Sequence, residues 1–220
     1  MTKKIEQETV TLLSPTEIKR LQATKSANKQ REFLLSRALM RHAFSRQFKC
    51  PEKQWTFIER PGFLPEILNL PDDIYVSLSH SHGLICFAIY NSPIGIDLET
   101  TGKKRDFLEL AETFMDDEEL ENLRQQESGP ADSFYRSWCA KEAYYKALPL
   151  QDQASVSFKE ISIPNIFSRE KIWTLLEGKI KQTRLSVVMK HRPKEISYHC
   201  FPQTVHSELT ETEFDLKHYK

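Results

Sequence analysis

Residues 94–99 read Ile-Gly-Ile-Asp-Leu-Glu, an apolar and acidic alternation that an extended strand sorts onto two faces. Asp97 and Glu99 are two apart, leave the same face and can share one hard cation. Ile96 and Leu98 turn to the other face, so if that face is buried the carboxylates point away from the core or into a cleft. Just before this strand, Leu84 to Tyr90 has strand composition and joins it through Asn91-Ser92-Pro93. Ile74 to Leu78 and Trp55 to Ile58 read the same way, with Pro61-Gly62, Pro65 and Pro71 between them. Further back the period changes. Ser14-Pro15-Thr16-Glu17 supplies an N-cap, a proline at the first helical position and an acidic first turn, so a short helix should begin there. Leu34, Leu35, Ala38, Leu39 and Ala43 recur at helical spacing and predict a long helix from about Asn28 to Phe48. Its other faces carry Lys29, Arg31, Arg37, Arg41 and Arg46.

After Glu99 the polar, glycine-containing run TTGKKR (100–105) is the best candidate for a connection between two halves, 1–100 and 101–220. Helices then restart. Phe107, Leu110, Ala111 and Phe114 share one face, and Asp116 can cap the next helix in a capping-box arrangement with Glu119, turning Leu120 and Leu123 inward. QQESGPADS (125–133) breaks that helix, and a third should run from about Asp132 to Leu148, ending before Pro149. Strand-like runs come next at Val156–Ile163, Ile172–Leu176, Arg184–Met189 and Ile196–Phe201. Helices then strands thus occur twice, which predicts an α+β fold of two similar halves in one compact unit. No residue-level repeat proves a duplication.

The 220 residues are enough for one well-buried domain or two small halves sharing an interface. Lys plus Arg and Asp plus Glu both number 31, so no overall field draws the chain to nucleic acid or to an acidic membrane. Cys50, Cys86, Cys139 and Cys200 are scattered with no C-x-x-C, which fits reduced cytosolic thiols better than a zinc site or a disulfide scaffold. The start, MTKKIEQETV, has no apolar h-region, and no apolar run approaches a membrane span; a soluble, cytoplasmic protein is expected.

Two further segments carry chemistry. VSLSHSH (76–82) places His80 and His82 in a serine-rich strand end, and WCAKEAYYK (138–146) sets Glu142 and Lys146 four apart on one helix face. Each has a bland reading. Asp-x-Glu alone usually faces water, the helix can be an amphipathic one with solvated ion pairs, and the histidines can be a strand end satisfied by hydroxyls. Ligands for zinc at suitable spacing are not found. Read together, the three segments offer three acids and lysines for an anionic substrate held by Mg²⁺.

VSLSHS, GIDLE and WCAKEAYYK, in this order and with about these separations, resemble the three signature motifs of the 4′-phosphopantetheinyl transferases. The length is similar to the larger, pseudodimeric, surfactin-synthetase-activating type, and the likeness covers residues 14 to about 200. The resemblance implies two similar α/β halves in pseudo-twofold arrangement with the active site at their interface. It implies transfer of the phosphopantetheine arm of coenzyme A to a serine of an apo acyl or peptidyl carrier protein, releasing adenosine 3′,5′-bisphosphate. Asp97, Glu99 and Glu142 would hold Mg²⁺, Lys146 would steady the phosphates or leaving group, and Glu142, ahead of Glu119, would take the serine proton. Ser79 and His80 would contact the nucleotide end, with Lys141 assisting and Arg31 and Arg37 as further 3′-phosphate contacts, although Arg37 could equally be structural. Lys103, Lys104, Arg105 and Met115 lie in a segment that could face the carrier. One departure stands out: where many relatives carry a Gly-Lys-Pro turn, this chain reads Arg60-Pro61-Gly62-Phe63-Leu64-Pro65, with Phe63 at the lysine position and Arg60 as its candidate replacement. A monomer is expected, with no nucleic-acid or membrane partner. A metal-dependent nuclease is the alternative enzyme, disfavoured by the neutral charge and by the helical Glu-Lys pair; a non-catalytic coenzyme A or carrier-binding module is the alternative of another class.

Overall fold

Capping chemistry sets the first elements. In the computed structural model, which describes residues 2–101, 106–125, 131–167, 172–199, 201 and 217–218, Ser14 caps a helix at Pro15–Ala23 and exchanges hydrogen bonds with Glu17 in a capping box. We label this helix α2, after α1 at Thr2–Val10, which no apolar stripe announces. Helix α3 runs Ala27–Phe48 from a Ser26 cap to Lys49 in the left-handed region. Short strands β1 (Phe57–Ile58) and β2 (Glu66–Ile67) pair antiparallel. These elements lie in the first of two compact units, Met1–Asp72; the second is Asp73–Lys220.

The buried face of α3 differs from the expected stripe. Phe33, Leu34, Ala38, Met40 and Phe44 are buried, but so are Arg37 and Arg41, which the sequence placed on the solvent faces. Glu17, itself fully buried, accepts two bonds from the Arg41 guanidinium at 3.0 and 2.6 Å, while Arg37 gives Glu59 bonds of 2.9 and 2.5 Å. The two guanidiniums lie over the Phe57 and Phe33 rings. Hydropathy alone sends arginine outward; acids contributed by other segments bring these two in.

In the second unit, β3 (Tyr75–Ser81) and β4 (Leu84–Tyr90) form a hairpin whose two-residue turn, His82-Gly83, has positive φ at both positions, as the tight turn between twisted strands requires. β5 (Ile94–Thr100) starts the main sheet, ordered β5-β7-β6-β8, with β6 at Trp173–Ile180, β7 at Thr183–Lys190 and β8 at Lys217–His218, all antiparallel. Ile94, Ile96 and Leu98 pack with Leu185, Val187 and Met189 against Leu84, Cys86 and Ala88 of β4. Helix α6 (Ala131–Ala147) covers the opposite face through Ala140, Ala143 and Ala147, which pack with Leu175 and Val188. Its first turns hold Phe134 and Tyr135 against α4 (Phe107–Ala111) and α5 (Asp117–Arg124). The predicted capping box of Asp116 with Glu119 forms, and Leu120 and Leu123 are buried.

Several expectations change. The alternation at 156–163 is no strand: Ser157 and Glu160 close a capping box on a 3₁₀ turn, and Pro164 opens the short helix α8 (Ile163–Ile166), after α7 at Leu150–Gln153. Residues 192–199 form no strand either. The connection expected at 100–105 and the break at 125–133 fall largely on residues outside those described. No helix among the described residues is long and apolar enough to cross a membrane.

Candidate active site

The site begins at a glycine. A Cβ on Gly95 would stand 1.8 Å from the Ala143 carbonyl oxygen and 2.6 Å from the Ala147 amide nitrogen, so only glycine lets the backbone of α6 settle this closely on β5. That approach aligns two sequence patterns. On α6, Trp138, Glu142 and Lys146 succeed one another at four-residue steps along one face; on β5, Asp97 and Glu99 share the face that meets them. Lys146 Nζ donates to Asp97 Oδ1 at 2.6 Å and lies 3.8 Å from Glu142, and Trp138 Nε1 donates to Glu99 Oε1 at 2.9 Å. Cys139 Sγ donates to the Asp97 carbonyl at 3.2 Å, and burial, reinforced by the charge on Asp97, pushes this thiol well up.

β3 reaches this strand without a backbone ladder. Ser77, Ser79 and Ser81 alternate along β3, and their hydroxyls accept the N–H groups of Ile96, Leu98 and Thr100 at 3.0, 3.1 and 3.3 Å. Ser79 also donates to Asp97 Oδ1 at 3.0 Å. His80 points to the other side of β3 and is exposed.

Asp97 is 4 % exposed, and its Oδ2 is buried with no hydrogen-bond partner. Burial raises the Glu142 carboxyl above its ordinary value; Lys146 opposes this, and the charges of Asp97 and Glu99 add to it. Among the described residues, no three His, Cys, Asp or Glu side chains stand close enough to hold a metal ion as placed. The reason lies in the contacts: the Lys146 ammonium sits between Asp97 and Glu142, and Trp138 holds Glu99. The donor chemistry nevertheless fits Mg²⁺, since Asp97, Glu99 and Glu142 supply hard carboxylates along the contact of α6 with β5 and one Asp97 oxygen is buried and orphaned.

Lys141 and Glu119 form a separate structure. Lys141 is fully buried and its ammonium donates three times, to the Phe114 and Phe158 carbonyls at 2.9 and 3.0 Å and to Glu119 Oε2 at 2.5 Å. All three protons are used inside the protein, so Lys141 is neither a solvated surface lysine nor available to a substrate. Glu119 Oε2 also accepts the Asp116 N–H; burial raises this carboxyl, against the pull of Lys141. Replacing Lys141 by methionine should strand a buried carboxylate and two carbonyls. We expect a loss of about 3–5 kcal/mol in urea unfolding, partly recovered when Glu119→Gln is added.

Arg31 and Arg37 belong to the first unit. Arg31 pairs with Glu6 at 3.0 Å, while the buried Arg37 is held by Glu59, the structural alternative that its sequence left open. Phe63 comes directly after the positive-φ Gly62 and is half exposed. Lys103, Lys104 and Arg105 lie outside the described residues. Met115 packs in the core at 2 % exposure, so it offers no surface to a partner; it continues the apolar face of α4 inward.

Residues 93–200 match the family model of the 4′-phosphopantetheinyl transferase superfamily. Over these residues the chain is similar to that superfamily. It is similar to slr0495 of Synechocystis sp., 31% identical over 140 residues that cover 62% of this chain and 56% of that protein. It is also similar to the 4′-phosphopantetheinyl transferase Sfp of Bacillus subtilis, 33% identical over 51% of this chain and 50% of that one. A third relative is the 4′-phosphopantetheinyl transferase psf-1 of Bacillus pumilus, 30% identical over 53% and 49% of the two chains. The chain spans about half the length of the curated relatives it matches.

The superfamily match covers β5, α6 and β7, the elements that bring Asp97, Glu99, Glu142 and Lys146 together. Three contributors had no assigned role in the sequence: Gly95, Trp138 and the serine alternation of β3 beyond Ser79. The four-residue step from Trp138 to Glu142 and the two-residue step through Ser77, Ser79 and Ser81 were the signals for two of them.

Proposed function

We propose that this protein transfers the 4′-phosphopantetheine arm of coenzyme A to a serine of an apo acyl or peptidyl carrier protein. The observation that carries the proposal is the seating of α6 on β5 at Gly95, which sets Lys146 and Glu142 beside Asp97. Relatives that bear the transferase name add to it.

In this reading Asp97, Glu99 and Glu142 hold Mg²⁺, which when bound would offset the charge of the coenzyme A pyrophosphate. Lys146, still paired with Asp97, turns another ammonium proton to a phosphate oxygen and steadies the departing adenosine 3′,5′-bisphosphate. The carrier serine oxygen bonds to the β-phosphorus as the bridging P–O bond breaks; the serine proton passes to Glu142. Alignment and charge placement supply most of the acceleration, with no covalent enzyme intermediate. His80, exposed on β3, meets the 3′-phosphate. Glu119 and Lys141 act through the position of α6. Two similar halves, 1–100 and 101–220, belong to the proposal, supported by helices then strands occurring twice. So do a monomeric state and a cytoplasmic location.

Intact-mass measurement on one fatty-acid and one peptidyl apo carrier, incubated with the protein, coenzyme A and Mg²⁺, tests this. Each productive pair should gain one phosphopantetheine, and EDTA should stop the gain. No gain on any carrier, with coenzyme A bound, would instead favour a non-catalytic binding module.

A further inference from the structure

We infer that Ser79 is a positioning residue for Asp97, fixing which carboxylate oxygen faces the cation, rather than a contact for the nucleotide end of the substrate. This rests on the metal-dependent reading above and goes beyond it in giving Ser79 a different task.

A serine hydroxyl has one proton to donate. In Ser79 that proton goes to Asp97 Oδ1, while the oxygen accepts the N–H of Leu98, the residue next to Asp97 on β5. The side chain therefore grips the aspartate twice, through its carboxylate and through the adjoining amide. Ser79 is 5 % exposed, so neither bond is shared with bulk water. While the donation stands, no proton remains for a phosphate.

The consequence falls on the other oxygen. Oδ1 takes both Ser79 and Lys146, at 3.0 and 2.6 Å, which leaves Oδ2 buried and without a partner. A buried carboxylate oxygen with no donor is costly unless something positive completes it. With Oδ1 doubly held, the range of possible carboxylate rotations narrows, and Oδ2 is the oxygen presented to a cation. Hydrogen bonds to ligating carboxylates commonly tune metal sites in this way.

The neighbouring serines supply an internal control. Ser77 makes the same bond to β5, accepting the Ile96 N–H, and is equally buried, but Ile96 has no carboxylate to orient. Losing Ser77 therefore removes one rung between β3 and β5 and nothing more.

Mn²⁺ binding to the full chain, read by electron paramagnetic resonance without substrate, should separate the roles. Ser79→Ala should weaken Mn²⁺ by about ten-fold or more, Ser77→Ala by less than about two-fold, and Ser79→Thr, which keeps the hydroxyl, should restore much of the affinity. At saturating metal the KM for coenzyme A and for its 3′-dephospho form should stay in the wild-type ratio. Unchanged Mn²⁺ affinity in Ser79→Ala, or equal losses in Ser77→Ala and Ser79→Ala, would overturn the assignment to Ser79 alone. So would a selective rise in the KM for coenzyme A. If Asp97→Asn also binds Mn²⁺ like the wild type, the metal assignment itself falls, and the role of Ser79 with it.

Discussion

Asp97→Asn should lower carrier modification by about a thousand-fold or more while the protein stays folded. Asparagine keeps the shape of the side chain and can still accept from Ser79 and Lys146 through its one oxygen, but it loses the charge and puts an NH2 donor in place of Oδ2. Asp97→Ala is a different experiment. The side chain is buried and holds two partners, so alanine would leave the Ser79 proton and the Lys146 ammonium without their shared acceptor. We expect that variant to lose about 1–3 kcal/mol of stability as well as activity. Glu142 should behave in the opposite way. Burial and two nearby carboxylates disfavour its ionised form, with Lys146 only partly compensating, so its raised carboxyl costs stability as pH rises from the ordinary glutamate range through the folded-state value. Glu142→Gln should therefore abolish transfer and, in EDTA near neutral pH, leave Tm unchanged or raise it by about 2 °C. Paired thermal melts and intact-mass assays read both effects. Wild-type transfer by Asp97→Asn and Glu142→Gln together would remove the acid cluster from the reaction.

Gly95→Ala should damage the protein more than any other single-methyl change. The added carbon would meet backbone atoms of α6, at 1.8 and 2.6 Å, so no rotamer change relieves it and the helix must withdraw by about 1 Å or more. We expect a loss of about 3 kcal/mol in urea unfolding. The withdrawal carries Trp138, Glu142 and Lys146 away from Glu99 and Asp97, although each keeps its chemistry. A displacement of that size costs about a hundred-fold in rate. Trimming the neighbour with Ala143→Gly should give no rescue, because the obstructing atom is the backbone oxygen of residue 143. A Gly95→Ala protein with wild-type melting and transfer would show that this seat does not set the site.

Much of this arrangement was legible in the residues. The Ser14 cap, the Asp116–Glu119 capping box, the span of α6 and the strand carrying Asp97 and Glu99 come from local rules, and the structure places them where those rules do. The failures have two causes, one local and one tertiary. At 156–163 apolar alternation outweighed a serine-glutamate cap and a proline, and the local chemistry prevailed. On α3 the arginines were assigned to water because their acids, Glu17 and Glu59, come from other segments. Lys141 was placed near the substrate because its motif sits beside Glu142, one residue on, yet one step around a helix turns a side chain about 100° away, into the carbonyls of Phe114 and Phe158.

By itself, then, the sequence determined most of the element types, the acid pair with its helical glutamate and lysine, and the family that those motifs resemble, because each rests on spacing within a segment. Only the tertiary structure decided which charges are buried and paired, which serine holds Asp97, and why residue 95 carries no side chain. Those answers depend on atoms brought within a few ångströms from segments tens of residues apart, and no periodicity along the chain records such distances.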